Sequence, residues 1–179
     1  MANKYLKRGL VPIWDMAGPV TKKVPKSTSS SKALLVGSPV LFTGGYAQSA
    51  AVGGDSDKIT GSVVALTDSA GKPVNQLVHD AAGYVEISFK QDQQYRITSN
   101  DDGIAIGDIG YSGQLNNDDA ADPTDPNQTF SLAQIDGSTL NDAAGPLQVV
   151  GIVDRLDNDF GATGTEVVVK IDPDNYQAS

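Results

Sequence analysis

The strongest constraint on the fold is a pair of β-branched runs in the last quarter of the chain. Leu147-Gln148-Val149-Val150-Gly151-Ile152-Val153 and Glu166-Val167-Val168-Val169-Lys170-Ile171 have the composition of strands. Between them, Asp154 to Gly164 is rich in aspartate, asparagine and glycine, the residues of turns. Two such runs joined by a polar, glycine-bounded loop predict an antiparallel hairpin with a long connection. Almost every position in both runs is apolar, which predicts strands covered on both faces at the centre of a β core.

The rest of the chain supports the same class. Val40-Leu41-Phe42-Thr43 is a short strand before Gly44-Gly45, Ile59 to Leu66 a second, and Ser69-Ala70-Gly71-Lys72-Pro73 a turn after it. Tyr84 to Lys90 alternates, which predicts Val85, Ile87 and Phe89 inward and Glu86, Ser88 and Lys90 outward. Tyr95 to Thr98 and Thr129 to Leu132 read as further strands, and Ile104 to Ile109 as a short strand or one helical turn. Gly113 to Gln128 is acidic, carries two Asp-Pro pairs and reads as a loop. Seven to nine short strands and no long helix predict an all-β chain, an antiparallel β-sandwich or barrel of jelly-roll-like form.

The first 32 residues differ from the remainder. They hold seven basic side chains against Asp15, a balance of +6, whereas the following 147 residues hold six basic and 21 acidic side chains, −15. Pro12, Pro19 and Pro25 disfavour helix, and Lys26 to Lys32 is a polar, serine-rich linker. Residues 1–32 therefore read as an extended basic N-terminal arm and 33–179 as the β body. Tyr5, Leu6, Leu10, Val11, Ile13, Trp14 and Met16 are costly to leave in water. An arm with such anchors should dock on something: it reads either as a mobile tail or an edge strand of its own domain, or as a strap on a neighbouring subunit. The residues assigned to binding are Lys4, Tyr5, Lys7, Arg8, Leu10, Ile13, Trp14, Lys22 and Lys23.

Motifs that carry chemistry are sparse. The one histidine, His79, has no Gly-x-Ser-x-Gly elbow to serve. There is no cysteine, so no disulfide framework and no thiolate metal site. Asp55-Ser56-Asp57, Asp101-Asp102 and Asn117 to Asp125 supply hard oxygens without the order of an EF-hand, and the chain has two glutamates. The 11 aromatic residues are scattered, with no sugar platform visible in the sequence. Arg155, flanked by Asp154, Asp157 and Asp159, either pins its loop by pairing with local carboxylates or pairs across a subunit interface, and Arg155 and Asp157 are assigned to that role. No apolar run approaches the ~20 residues of a membrane helix, and no apolar stretch follows the basic N-terminus as in a secretion signal. These features predict no enzyme, no metal or other cofactor, no nucleic acid, no membrane and no small-molecule substrate.

Several short motifs resemble a family of tailed-bacteriophage head proteins, the decoration or cement proteins. Leu147 to Asn158 is similar to its "plrIlGlvdRpDN" strand and loop, and Val167 to Ile171 to its "vlVkIn" strand. Gly9-Leu10-Val11-Pro12 resembles its opening "Gly-Leu-x-Pro", Gly37-Ser38-Pro39-Val40 its "Gly-Asp-Pro-Val", and Asp108-Ile109-Gly110 its "Asp-Val-Gly". Leu156 stands in place of the family's proline and Ser38 in place of its aspartate. The resemblance implies a non-catalytic virion protein, made in the host cytoplasm. It would bind the outer surface of the assembled capsid as a homo-oligomer (trimer or dimer), clamp neighbouring major capsid subunits and stabilise the expanded head. The alternative is an extracellular or tail-associated calcium- or glycan-binding β-sandwich module.

Overall fold

The computed structural model describes residues 9–14, 18, 20–30, 32–50, 58–90, 92–100, 102–116, 128–140 and 145–175. Their fold is all-β. The strands in chain order are β1 (Val11–Ile13), β2 (Thr21–Pro25), β3 (Leu34–Leu35), β4 (Pro39–Thr43), β5 (Tyr46–Ser49), β6 (Gly61–Asp68) and β7 (Gln76–Leu77). They continue with β8 (Gly83–Ser88), β9 (Gln94–Thr98), β10 (Ser112–Gly113), β11 (Leu115–Asn116), β12 (Gln134–Ile135), β13 (Leu147–Ile152) and β14 (Glu166–Ile171). The helical content of the described residues is three 3-10 turns, and Ile104 to Ile109 resolves into one of them, Ile106–Asp108. Thr129 to Leu132 contributes only a bridge from Phe130 to Val36, and the strand in this region is β12 instead.

Two antiparallel five-stranded sheets carry the fold. In the first the order is β1-β9-β14-β13-β10, with the hairpin β13-β14 at its centre as its sequence requires. Both strands alternate, however, rather than being covered on both faces: Leu147, Val149, Val167, Val169 and Ile171 are buried, and the residues between them half-buried. Apolar character on the second face accords with the β preference of valine and isoleucine. Gly151 lies at a bulge that shifts the register between Val149 and Gly151. The inner face packs with Tyr95, Ile97, Ile104, Leu115 and Ile135 into one core.

The second sheet has the order β2-β8-β6-β4-β5 and curls until its edges meet. Lys26 N–H donates to Gly83 O on β8 at 2.9 Å, and the next residue, Ser27, donates to Ala47 O on β5 at 2.8 Å. This change of partner brings the β2 and β5 edges together and closes the sheet into a barrel at that end alone, β2 and β5 remaining its edge strands elsewhere. Val24, Val40, Ala47, Val63, Leu66, Val85 and Ile87 fill it, with Leu34 and Leu77 of the small β3-β7 sheet packed against them. Because strand side chains alternate, β4 serves both cores: Val40 belongs to the barrel cluster while Leu41 packs on the cluster of the first sheet. Val85 and Ile87 point inward as predicted, but Ser88, expected outward, is fully buried, and its carbonyl accepts from the Tyr95 hydroxyl at 3.3 Å.

Of residues 1–32, the described part is built into both sheets. Strand β1 pairs with β9, and β2 pairs with β8 from Thr21↔Ser88 to Pro25↔Tyr84. The edge-strand alternative for the arm is therefore the one seen over these residues, and a cut at residue 33 would strip an edge strand from each sheet. Lys26 and Ser30, assigned to a polar linker, are buried.

Candidate binding surface

Strand β1 is fastened to the body at its first residues. Gly9 has φ +67°, and a Cβ there would lie 2.3 Å from Gly37 O and 2.7 Å from the Ser131 side chain, so the close approach needs glycine. Leu10 is fully buried in the core of the first sheet. Its N–H donates to Gly37 O at 2.8 Å, and its carbonyl accepts from the Ser62 hydroxyl. Leu10 is thus committed to its own chain, not to a partner. At the other end of β1, the buried Gln93 side chain donates to Ile13 O and, at 2.8 Å, to Gln94 O.

Beyond this double fastening the strand turns apolar surface outward. Trp14 is 41% exposed, as is Phe130. With Val11, Pro12, Val36, Gly37, Val63 and Val64 they line an apolar groove of about 270 Å³. Ile13 lies half-buried on the opposite flank, where it borders a hollow with Lys90, Asp92 and Gln93. Apolar side chains left clustered in water mark contact surfaces. A second exposed stretch follows β9, where Ile106, Ile109 and Tyr111 stand out of the loop that precedes β10.

The basic residues divide. Lys22 and Lys23 are exposed on β2, their ammonium groups 5.8 Å from the Phe42 ring centre and 5.0 Å from that of Tyr84. Lys26 is only 2% exposed, and its ammonium donates to the carbonyls of His79 at 2.7 Å, Ser27 at 3.0 Å and Ala81 at 3.4 Å. Burial lowers its pKa below the usual lysine value, with the nearby Asp80 charge acting in the opposite sense. It is a structural cation that ties the arm to the 79–81 turn. Lys4, Tyr5, Lys7 and Arg8 lie outside the described residues.

Arg155 and Asp157 come together. Arg155 Nε is 2.6 Å from Asp157 Oδ1, and Nη1 is 2.9 Å from Glu166 Oε2, so the guanidinium joins the loop to the start of β14. The firmer fastening is one the sequence did not single out. Buried Asn158 donates to Val153 O at 2.8 Å and Glu166 O at 2.7 Å, and accepts from Glu166 N–H at 2.8 Å. Its signal was an amide amid aspartates, a side chain able both to donate and to accept. Leu156 between them is fully exposed.

His79 is exposed, and its contribution is the main-chain carbonyl that Lys26 binds. The acidic stretches 55–57 and 117–125 and Asp101 lie outside the described residues. Among the described residues no three histidine, aspartate or glutamate side chains are grouped to hold a metal ion, and no helix is long and apolar enough to cross a membrane. Compared with protein-family models, with curated proteins and with solved structures, the chain finds no match.

Proposed function

We propose that this is a non-catalytic structural protein that binds the outer surface of an assembled phage capsid and stabilises it by clamping neighbouring major capsid subunits. The observation that carries the reading is the outward groove around Trp14 and Phe130, held on a strand that the buried Leu10 and Gln93 fix in place. Residues 1–8, with Lys4, Tyr5, Leu6, Lys7 and Arg8, join the body at Gly9, which abuts Gly37 on the rim of that groove. The sequence thus puts a basic segment with apolar residues directly before the residue that abuts an apolar groove, the combination that an anchor on an acidic protein surface needs.

A groove of this size is small against the roughly 1,000 Å² that a specific interface buries. Multiple attachment makes up the difference: a homo-oligomer on a repeating shell gains affinity from effective concentration without new contacts. The exposed Ile106, Ile109 and Tyr111 offer a second apolar surface that contacts between copies would use. Binding only the expanded, assembled shell stabilises that state by mass action. The acidic body faces away from the shell, where like charge keeps particles apart.

The test uses the full-length chain and its Trp14→Asp variant on undecorated, expanded heads. Wild type should bind saturably, and the variant should bind at least about tenfold more weakly while melting at the same temperature. Equal binding of the two would remove the groove from the interface.

A further inference from the structure

The closed end of the barrel carries a second cleft, which shares no lining residue with the Trp14 groove. It has a volume of about 470 Å³ and lies among the loop after β2, the start of β5, the β6–β7 turn and the start of β8. Two tyrosines distant in sequence line it, Tyr46, 50% exposed, and Tyr84, 42% exposed. Lys23 stands over the Tyr84 ring but lines a separate small hollow with Ala65, Thr67 and Glu86. Tyr84 therefore borders a charged hollow on one side and the large cleft on the other.

The polar groups of the cleft are hydroxyls. Thr28, Ser29 and Ser69 line it, and their side chains are exposed. Among the described residues its one ionisable side chain besides the two phenols, Lys26, has spent its ammonium protons on three backbone carbonyls. A cleft with two aromatic rings, several hydroxyls and no available charge among its described lining residues suits a neutral ligand with apolar faces and many hydroxyls. Tyrosine provides such a ring surface together with a polar tip, at small cost in side-chain order. A peptide strand is disfavoured here, since the barrel edges that it would extend are already joined through Lys26 and Ser27 to Gly83 and Ala47.

We infer that the Tyr46–Tyr84 cleft is a saccharide-binding site, taking one or two units of a neutral glycan stacked on the tyrosine rings. The full-length protein is applied to an array of neutral and acidic glycans that includes cello-, malto-, manno- and chito-oligosaccharides, and the best-retained probe is titrated by calorimetry. At least one neutral oligosaccharide should bind saturably. Tyr46→Ala and Tyr84→Ala should each weaken it by about tenfold or more, while Tyr84→Phe stays within about threefold. Ser69→Trp, which keeps both tyrosines and fills the cleft, should also abolish binding with the melting temperature unchanged. Retention of no glycan, preference for acidic glycans, or affinity that survives both alanine changes would overturn the assignment.

Discussion

Replacing Leu10 by alanine probes the fastening on which the binding surface depends. The side chain is fully buried among Ile59, Ile97, Ile104, Val167 and other members of the first core. Truncation removes three carbons, worth about 2.4 kcal/mol at ~0.8 kcal/mol each. A core that relaxes only in part adds roughly 1 kcal/mol or more for the cavity, for a loss of about 3–4 kcal/mol. The main-chain bonds to Gly37 and from Ser62 remain possible, so the strand has no second reason to detach. At about 2–4 °C per kcal/mol for a chain of this size, the melting temperature should fall by roughly 6–15 °C. Equilibrium unfolding in urea, followed by circular dichroism, should give a lower midpoint at unchanged slope. A loss below about 1 kcal/mol would mean that residues 9–14 are not seated in the core, and the rigid presentation of Trp14 would fall with it.

Three other perturbations test separate parts of the structure. Lys26→Met leaves three carbonyls without their donor and should cost about 2 kcal/mol near neutral pH. The folded pKa of Lys26 lies below its unfolded value of 10.5, so the unfolded chain holds the extra proton between the two values. Stability of the wild type should therefore rise with pH through that window, relative to Lys26→Met; a flat difference between the two denaturation series would refute the buried cation. Asn158→Ala removes three hydrogen bonds that span the β13–β14 loop and should cost about 2–3 kcal/mol, measured by thermal unfolding, with a cost under about 0.5 kcal/mol counting against it. The Thr60 hydroxyl is buried without a partner, so the near-isosteric Thr60→Val should stabilise by about 1 kcal/mol in the same assay, and a destabilisation of that size would reveal a missed partner.

The sequence made the centre of the fold legible where local pattern and tertiary need agree. The β13-β14 hairpin, the Gly44-Gly45 turn and the alternation of Val85 and Ile87 all carry their own signal. Strand β2 carries none: Thr-Lys-Lys-Val-Pro shows no alternation, and it is a strand because β8 offers an unpaired edge and Val24 a place in the barrel. Lys26 misleads for a related reason. A lysine before a serine run reads as solvated, and only the fold brings the carbonyls of residues 79 and 81 to its ammonium. Ser88 breaks the outward pattern because Tyr95 of the other sheet reaches this end of β8, its hydroxyl donating to the Ser88 carbonyl, while Tyr84 and Glu86 farther along stay exposed and half-buried. Of the binding residues read from the sequence, Trp14, just past β1, is exposed and Ile13 is half-buried, while Leu10 is turned into the core. Spacing along an arm cannot tell an anchor for the chain itself from an anchor for a partner. The tyrosine cleft was invisible for the same reason, since Tyr46 and Tyr84 come to line one cleft only when β5 and β8 join one sheet.

The most direct test of the capsid-binding account is co-sedimentation of the folded full-length protein with undecorated, expanded heads over a range of protein concentrations. The account predicts saturation at a simple integer ratio to the major capsid subunit, together with a higher melting temperature of the decorated heads. Heads that sediment without the protein, or that bind it without saturation and gain no stability, would contradict it.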